Sequence, residues 1–382
     1  GKYRNIMGNN ALAFGLLTAS QRSGLDLYYG GYPITPASDI LHYLAQYKNF
    51  GVKTFQAEDE IAGVTSAIGA AFAGNLAITA TSGPGVALKS EALGLAIITE
   101  LPLVLVNVQR GGPSTGLPTK TEQSDLNQAM YGRNGEAPLV VLAAATPSDC
   151  FNMAYEACRI ALKYMIPVIL LTDGYIANGS EPWKIPDLKS LKKITTTKIS
   201  TKEGFEPFDH DPSTLARPWA IPGTPNMEHR VGGLEKWDTT GHVSYDPENH
   251  HKMVELRQKK VDIVSNDIPQ AKPYGKPQGD LLVIGWGGTH GAIRSAVESS
   301  IESGHKVAHL HLRYLNPLPS NLGNILLKYQ KVLIPELNLG QLSIILRSKF
   351  LVDTIGLNKV QGKPFNKNDI LNEINILIKE IN

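Results

Sequence analysis

The sequence predicts an α/β protein: a doubly wound parallel sheet followed by a second, smaller α/β domain. Three observations carry this. The apolar runs LPLVLVNVQ (101–109), PLVVLAAA (138–145) and PVILLTD (167–173) are continuous rather than alternating, as in strands covered on both faces. Helical stretches separate one run from the next, as strand–crossover–strand units require. At 382 residues the chain exceeds one ordinary core, and its rhythm breaks near residue 186 and resumes near residue 276.

In order, NNALAFGLLTASQRSG (9–24) reads as a helix of small and aliphatic residues and LDLYYGGY (25–32) as a strand. TPASDILHYLAQYKN (35–49) is a helix capped near Thr35 or Ser38. KTFQA (53–57) is a strand, and a long Ala/Gly helix begins near residue 59, before the strand LAITATS (76–82) and a helix after SGPG. Residues 1–185 thus make the first domain. Residues 186–275, rich in Pro, Gly and polar side chains, predict a long excursion that wraps the body or meets a partner, with one exposed helix at HHKMVELRQKKVDIVSND (250–267). Residues 276–382 form the second domain: the strand DLLVIGWGG, a helix over 290–303, the strand KVAHLHLR, NPLP, the helix NLGNILLKYQ, the strand KVLIPE and further helix.

Composition excludes several classes. Lysine plus arginine (37) nearly balances aspartate plus glutamate (35), a formal charge of +2, so no footprint for nucleic acid or an acidic membrane appears. The apolar runs are too short to span a bilayer, and no secretion signal follows GKYRN. Cys150 and Cys158 provide no disulfide framework and no cluster-binding set, which fits the cytoplasm and places any iron–sulfur chemistry on another chain. The first residue is Gly1 rather than Met, as in a trimmed chain or part of a longer product.

Several stretches could carry chemistry. In YPITPASD, two prolines stiffen the backbone around Thr35 after an apolar run. In QAEDEIAGVTSAIGAAFAG, Glu58 and Asp59 suit the positive end of a helix dipole. Glu60 instead heads a stripe of Gly63, Ala67, Ala70 or Ala71, and Gly74, which lets another helix or backbone approach closely. A carboxyl pointed into such a contact favours its protonated form and needs a partner. TATSGPG (79–85) is a glycine bend that presents amides to a ligand or simply turns the chain.

QRGGPSTGLPTKTEQSDL (109–126) is denser: Arg110 ends a buried strand, where ligands of open α/β sheets sit, and its fork suits a carboxylate. GWGGTHG (285–291) invites a dinucleotide reading, but His290 stands where G-x-G-x-x-G needs glycine, and no ribose-binding carboxylate ends the next strand. Two histidine groups, His242 with His250 and His251, and His309 with His311, lack metal-site spacing and read as structural or exposed.

These motifs agree with one family. YPITPASD, QAEDEIAGVTSAIGAAFAG, TATSGPG and QRGGPSTGLPTKTEQSDL resemble the α subunit of the 2-oxoacid:ferredoxin oxidoreductases, nearest the 2-oxoglutarate branch. The likeness continues through PGTPNMEHRVGGLE, HVSYDPENHHKMVELRQKK, NPLP and IPELNLGQL, nearly the whole chain. It implies a first domain like the pyrimidine-binding domain of thiamine-diphosphate enzymes and a last one like the transketolase C-terminal domain. An N-terminal γ-type domain of many members would be a separate chain or have been removed.

By the same resemblance, Glu60 would donate to N1′ of the cofactor's aminopyrimidine, favouring the imino tautomer that accepts the C2 proton, with Pro33, Ile34, Ser82 and Gly83 beside the cofactor. Thr35 and Arg110 would hold the substrate's 2-oxo acid end, and Ser114, Thr119 and Lys120 would line the substrate site, Lys120 meeting a distal carboxylate. The reaction would be oxidative decarboxylation to an acyl-coenzyme A, with electrons passed to ferredoxin. TDGYIANG (172–179) lacks the Gly-Asp-Gly start of the magnesium–diphosphate motif, so Mg2+ and a [4Fe–4S] cluster are expected on a β subunit, across a seam formed by the small-residue stripe near Glu60. Pyruvate or branched-chain 2-oxoacids remain alternative substrates, and a non-catalytic assembly subunit or a dinucleotide-dependent dehydrogenase are alternative readings.

Overall fold

The computed structural model describes residues 1–201 and 203–381. The first domain runs β1 (Tyr3–Met7), α1 (Gly8–Ser23), β2 (Leu27–Gly31), α2 (Ser38–Leu44), β3 (Val52–Gln56), α3 (Glu60–Phe72), β4 (Leu76–Thr81), α4 (Gly83–Leu88), α5 (Ser90–Ile98), β5 (Leu103–Gln109), α6 (Leu126–Tyr131), β6 (Val140–Ala143), α7 (Asp149–Tyr164), β7 (Pro167–Asp173), α8 (Gly174–Asn178) and β8 (Ser180–Lys184). The excursion contains β9 (Lys198–Ile199), β10 (Trp219–Ala220) and α9 (Pro247–Ile263). The second domain runs β11 (Tyr274–Gly275), β12 (Gly279–Trp286), α10 (His290–Glu302), β13 (Val307–Leu312), β14 (Tyr314–Asn316), α11 (Leu322–Leu326), β15 (Tyr329–Glu336), α12 (Gln341–Phe350), β16 (Ile355–Asn358) and α13 (Lys367–Ile381).

The main sheet has the order β14-β6-β7-β5-β4-β2-β3, with β14 antiparallel to β6 and the other pairs parallel. β5 and β7 are buried along their whole length, so their continuous apolar sequence is what a doubly covered strand needs. Helices α1, α2 and α7 cover one face, and α3 and α5 lie over the other. The second sheet, β11-β13-β12-β15-β16, is parallel apart from β11. Leu282, Ile284 and Trp286 of β12 join the same apolar cluster as Leu105, Val141 and Leu171 of the main sheet, so the two domains share a core.

Two expectations change. The helix expected over residues 35–49 starts only at Ser38 with no side-chain cap, and it tightens to a 3-10 turn over Ala45–Phe50 where Tyr47 leaves helical geometry. The helix expected to be exposed, α9, buries Met253, Arg257, Lys260 and Val261, because it packs back on the first domain. The excursion does wrap the body: Trp219 is fully buried and donates from Nε1 to the Ala71 carbonyl at 3.1 Å, and Arg217 Nε donates to the carbonyls of Thr99 and Glu100 at 3.1 and 3.2 Å. Glu100 itself pairs with Lys260 and, at 3.0 Å, with His210. Burial would raise the Glu100 carboxyl, but Lys260 and His210 hold it well below the usual carboxylate range. Among the described residues no helix is long and apolar enough to cross a membrane.

Candidate active site

Strands β5, β4, β2 and β3 are neighbours, and their carboxyl ends carry Arg110, Ser82, Thr35 and Glu60 respectively. Asp59 ends the β3 connection as an N-cap, its carboxylate accepting the Ala62 amide at 2.7 Å. That fixes Glu60 in the first turn of α3, where it is 8 % exposed. The Glu60 carbonyl accepts Lys89 Nζ at 2.7 Å, but its carboxylate has no hydrogen-bond partner among the described residues. Burial pushes the Lys89 ammonium down to about 8, against the opposing pull of Glu60 and Asp59.

The TSGPG bend closes over this acid. A Cβ on Gly85 would lie 1.9 Å from Thr81 Oγ1 and 2.9 Å from Glu60 Cγ, so only glycine lets α4 start there. Ser82 Oγ is buried without a partner. A Cβ on Gly83 would meet Asp125 Oδ2 at 2.9 Å.

Thr35 and Arg110 come together. Arg110 Nη1 donates to the Thr35 carbonyl at 2.8 Å, and Arg110 Nε is buried without a partner. Asn9 Nδ2 holds the Pro36 carbonyl at 2.9 Å, fixing the turn whose half-buried Pro33 and Ile34 lead to exposed Thr35. After Arg110 the chain forms a closed loop, with the Gly111 amide donating to the Lys120 carbonyl at 3.0 Å and the Leu117 amide to the Gly111 carbonyl at 2.8 Å. Lys120 therefore leaves the neck of the loop beside Arg110, while Ser114 and Thr119 are exposed. From the second domain, Gly362 (φ +64°) lies so close that a Cβ would sit 2.8 Å from Lys120 Cβ.

The far end of the loop is clamped to the second domain. Gln123 donates from Nε2 to the Trp286 carbonyl at 2.7 Å, and its Oε1 accepts the Leu337 amide at 3.0 Å. Asp173 accepts from Thr121 Oγ1 and the Tyr175, Ile176 and Gly288 amides at 2.9–3.1 Å, and burial pushes its carboxyl up. The glycine turn of GWGGTHG is thus occupied by a domain contact: a Cβ on Gly288 would fall 2.6 Å from Asp173 Oδ2, leaving no cradle for a pyrophosphate.

Asp125 was not singled out from the sequence. It accepts from Asn107 Nδ2 at 2.9 Å beside the Gly83 turn, and burial pushes its carboxyl above the ordinary range, with Asn107 opposing. The QSDL end of the loop motif was its only signal. The small-residue stripe needs correcting. Gly63 packs on this chain's own β2, where a Cβ would lie 3.1 Å from Gly31 Cα, and Ala67 and Ala71 are buried in the core, so the stripe is not a seam for another polypeptide. The outward side of α3 is instead Ile61, Thr65 and Gly69.

Known proteins share this architecture. The family model described as pyruvate flavodoxin/ferredoxin oxidoreductase, thiamine diphosphate-binding, matches residues 20–246. The chain is 57% identical to the 2-oxoglutarate oxidoreductase subunit KorA of Mycobacterium tuberculosis over 97% of its own length, and it spans 56% of that relative. It is 31% identical to the 2-oxoglutarate synthase subunit KorA of Methanothermobacter thermautotrophicus over 97% of each chain. Among solved structures, a 2-oxoglutarate:ferredoxin oxidoreductase from Magnetococcus marinus with 2-oxoglutarate, coenzyme A and succinyl-CoA bound superposes with TM-score 0.93 at 35% identity, covering 98% of this chain and 65% of that one. A transketolase from Campylobacter jejuni, at 13% identity and TM-score 0.54 over 98% of this chain and 47% of that one, shares the fold alone.

Proposed function

This chain belongs to the pyruvate flavodoxin/ferredoxin oxidoreductase family, and on that premise we propose that it is the α-type part of a 2-oxoacid:ferredoxin oxidoreductase acting on 2-oxoglutarate. The products would be carbon dioxide, succinyl-coenzyme A and reduced ferredoxin. One observation carries the reading: Glu60 is 8 % exposed, and its carboxylate, with no hydrogen-bond partner among the described residues, is left open to a ligand at the strand ends. An acid this nearly buried that finds no partner in its own chain fits a ring nitrogen of a cofactor seated against it. The buried, unpartnered Ser82 hydroxyl at the end of the neighbouring strand β4 supports the same seat.

Thiamine diphosphate, when bound, supplies the carbon nucleophile that adds to the 2-oxo group. Glu60 would share a proton with the pyrimidine N1′, and the close Gly85 turn packs against its Cγ and fixes its direction. Arg110, with one nitrogen fixed on the Thr35 carbonyl, presents its remaining donors to the substrate carboxylate, and the exposed Thr35 hydroxyl stands beside them. Pro33 and Ile34 of the Thr35 turn and Gly83 of the α4 turn would line the cofactor's side of the site. Lys120, at the neck of the loop beside exposed Thr119 and with Ser114 on its tip, would meet the distal carboxylate that distinguishes 2-oxoglutarate from pyruvate. A β subunit would complete the site with Mg2+, the diphosphate contacts and a [4Fe–4S] cluster. Supporting this, the Asp173 carboxylate of TDGYIANG is already engaged by four donors within this chain.

The test is Glu60→Gln in the complex reconstituted with β. Turnover should fall about 10²–10³-fold with the melting temperature unchanged. Full activity would overturn the reading and favour an assembly subunit.

A further inference from the structure

A cavity of about 950 Å³ opens where α7, the excursion and the second domain meet, and none of the candidate active-site residues lines it. One wall carries His290, at the start of α10, and His309 and His311 of β13, with ring centres 4.8–5.6 Å apart. His309 is 3 % exposed and its Nε2 is buried without a partner among the described residues, while the buried His311 ring lies against the Gly287 backbone. The orphaned His309 nitrogen in this histidine cluster marks a missing partner, because buried polar atoms are otherwise satisfied. The sequence had set this pair of strand histidines aside as structural or exposed.

The surrounding charge selects that partner. Arg294 and Arg313 flank the histidines on the cavity wall. Arg294 lies flat against Tyr274, its guanidinium carbon 3.3 Å from the ring centre, with its Nε 3.2 Å from Glu298. Arg313 Nε reaches Asp149 at 3.0 Å and is half exposed. The two lining carboxylates are already engaged: Glu156 by Arg159 at 2.7 Å, and Asp267 by Arg159 and Lys163 at 2.6 and 2.8 Å. Burial pushes the His309 imidazole down to about 3 and lowers His290, so each ring is neutral and still offers one N–H. Donors flanked by arginines suit an anion, and the same arginines disfavour a metal ion.

We propose that this cavity binds a phosphate-bearing small molecule of nucleotide size, its phosphates held by Arg294, Arg313 and the imidazole N–H groups and its base near Tyr274. The volume lies at the upper end of ordinary ligand pockets. Two sources share this chemistry, a free nucleotide and the nucleotide end of coenzyme A; only the second rests on the function proposed above.

Calorimetric titration of the complex with ADP tests it and needs no turnover, so its outcome is separate from that of the catalytic reading. Saturable binding should weaken at least about tenfold in Arg294→Gln/Arg313→Gln and be unaltered in Lys120→Ala. His309→Phe, which fills the wall, should abolish binding while the melting temperature holds. Displacement of ADP by coenzyme A would assign the site to the coenzyme, and independent binding of both would assign it to a free nucleotide. No heat with millimolar ADP, or full affinity in the double variant, would overturn the proposal.

Discussion

Residues 110–125 and residues 205–246 read alike in the sequence, both rich in glycine and proline among Ser, Thr, Lys and Arg. Their charges end in opposite places. In the first loop Ser114, Thr119 and Lys120 face outward, while the backbone is closed on itself and clamped through Gln123. In the second, Arg217 and Lys236 are buried, each capping a carbonyl at the end of α5, and His210 pairs with Glu100 inside the fold. The first loop leaves those side chains available, whereas Arg217, Lys236 and His210 of the second are spent inside the fold, with Glu228 and Arg230 of that loop still exposed. A polar loop's role therefore lies in where its charges find partners, and burial leaves the second set nothing further to bind.

Breaking the second loop's anchor should have the largest effect. Glu100→Gln leaves Lys260 buried without its counter-charge and should cost about 3–5 kcal/mol of stability by chemical denaturation, with turnover per folded molecule unchanged. Lost turnover in a fully folded variant would mean that this loop reaches the chemistry. The same anchor sets an acid limit. Because the fold holds Glu100 below its ordinary range, its contribution is complete above the unfolded carboxyl's titration and declines as pH falls through it. Stability of the parent chain should therefore fall more steeply on acidification than that of Glu100→Gln.

Removing an outward charge should move binding instead. Lys120→Ala should raise KM for 2-oxoglutarate about tenfold to a hundredfold, leave pyruvate turnover and melting temperature alone, and so separate the two substrates. An unchanged KM would release Lys120 from that role. Smaller still is Gly362→Ala, which strains a left-handed backbone position and crowds the Lys120 stem. It should raise KM a few-fold; a lowered melting temperature with KM intact would show that Gly362 shapes only the fold.

The sequence carried the sheet well because each strand and its helix are local patterns. The placement of Glu60, Thr35 and Arg110 was legible for the same reason, each sitting in a short motif at a strand end. What stayed hidden depends on distant partners. Glu100 meets Lys260 and Arg217 across more than a hundred residues, and nothing near any of them announces it. Lys89 and Asp125 look like ordinary surface charges until packing buries the first fully and the second in part. The stripe beneath Glu60 was visible, but its period could not say which polypeptide it touched, and its own β2 proved to be the neighbour.

Tyr314–Asn316 leave the second domain to pair with Val141 and Leu142 at the rim of the main sheet. Through that short ladder, heat should melt both lobes in one step rather than two. A shortened protein ending near residue 275 would strip the rim bare, and its unpaired, apolar border would invite other molecules to stack onto it.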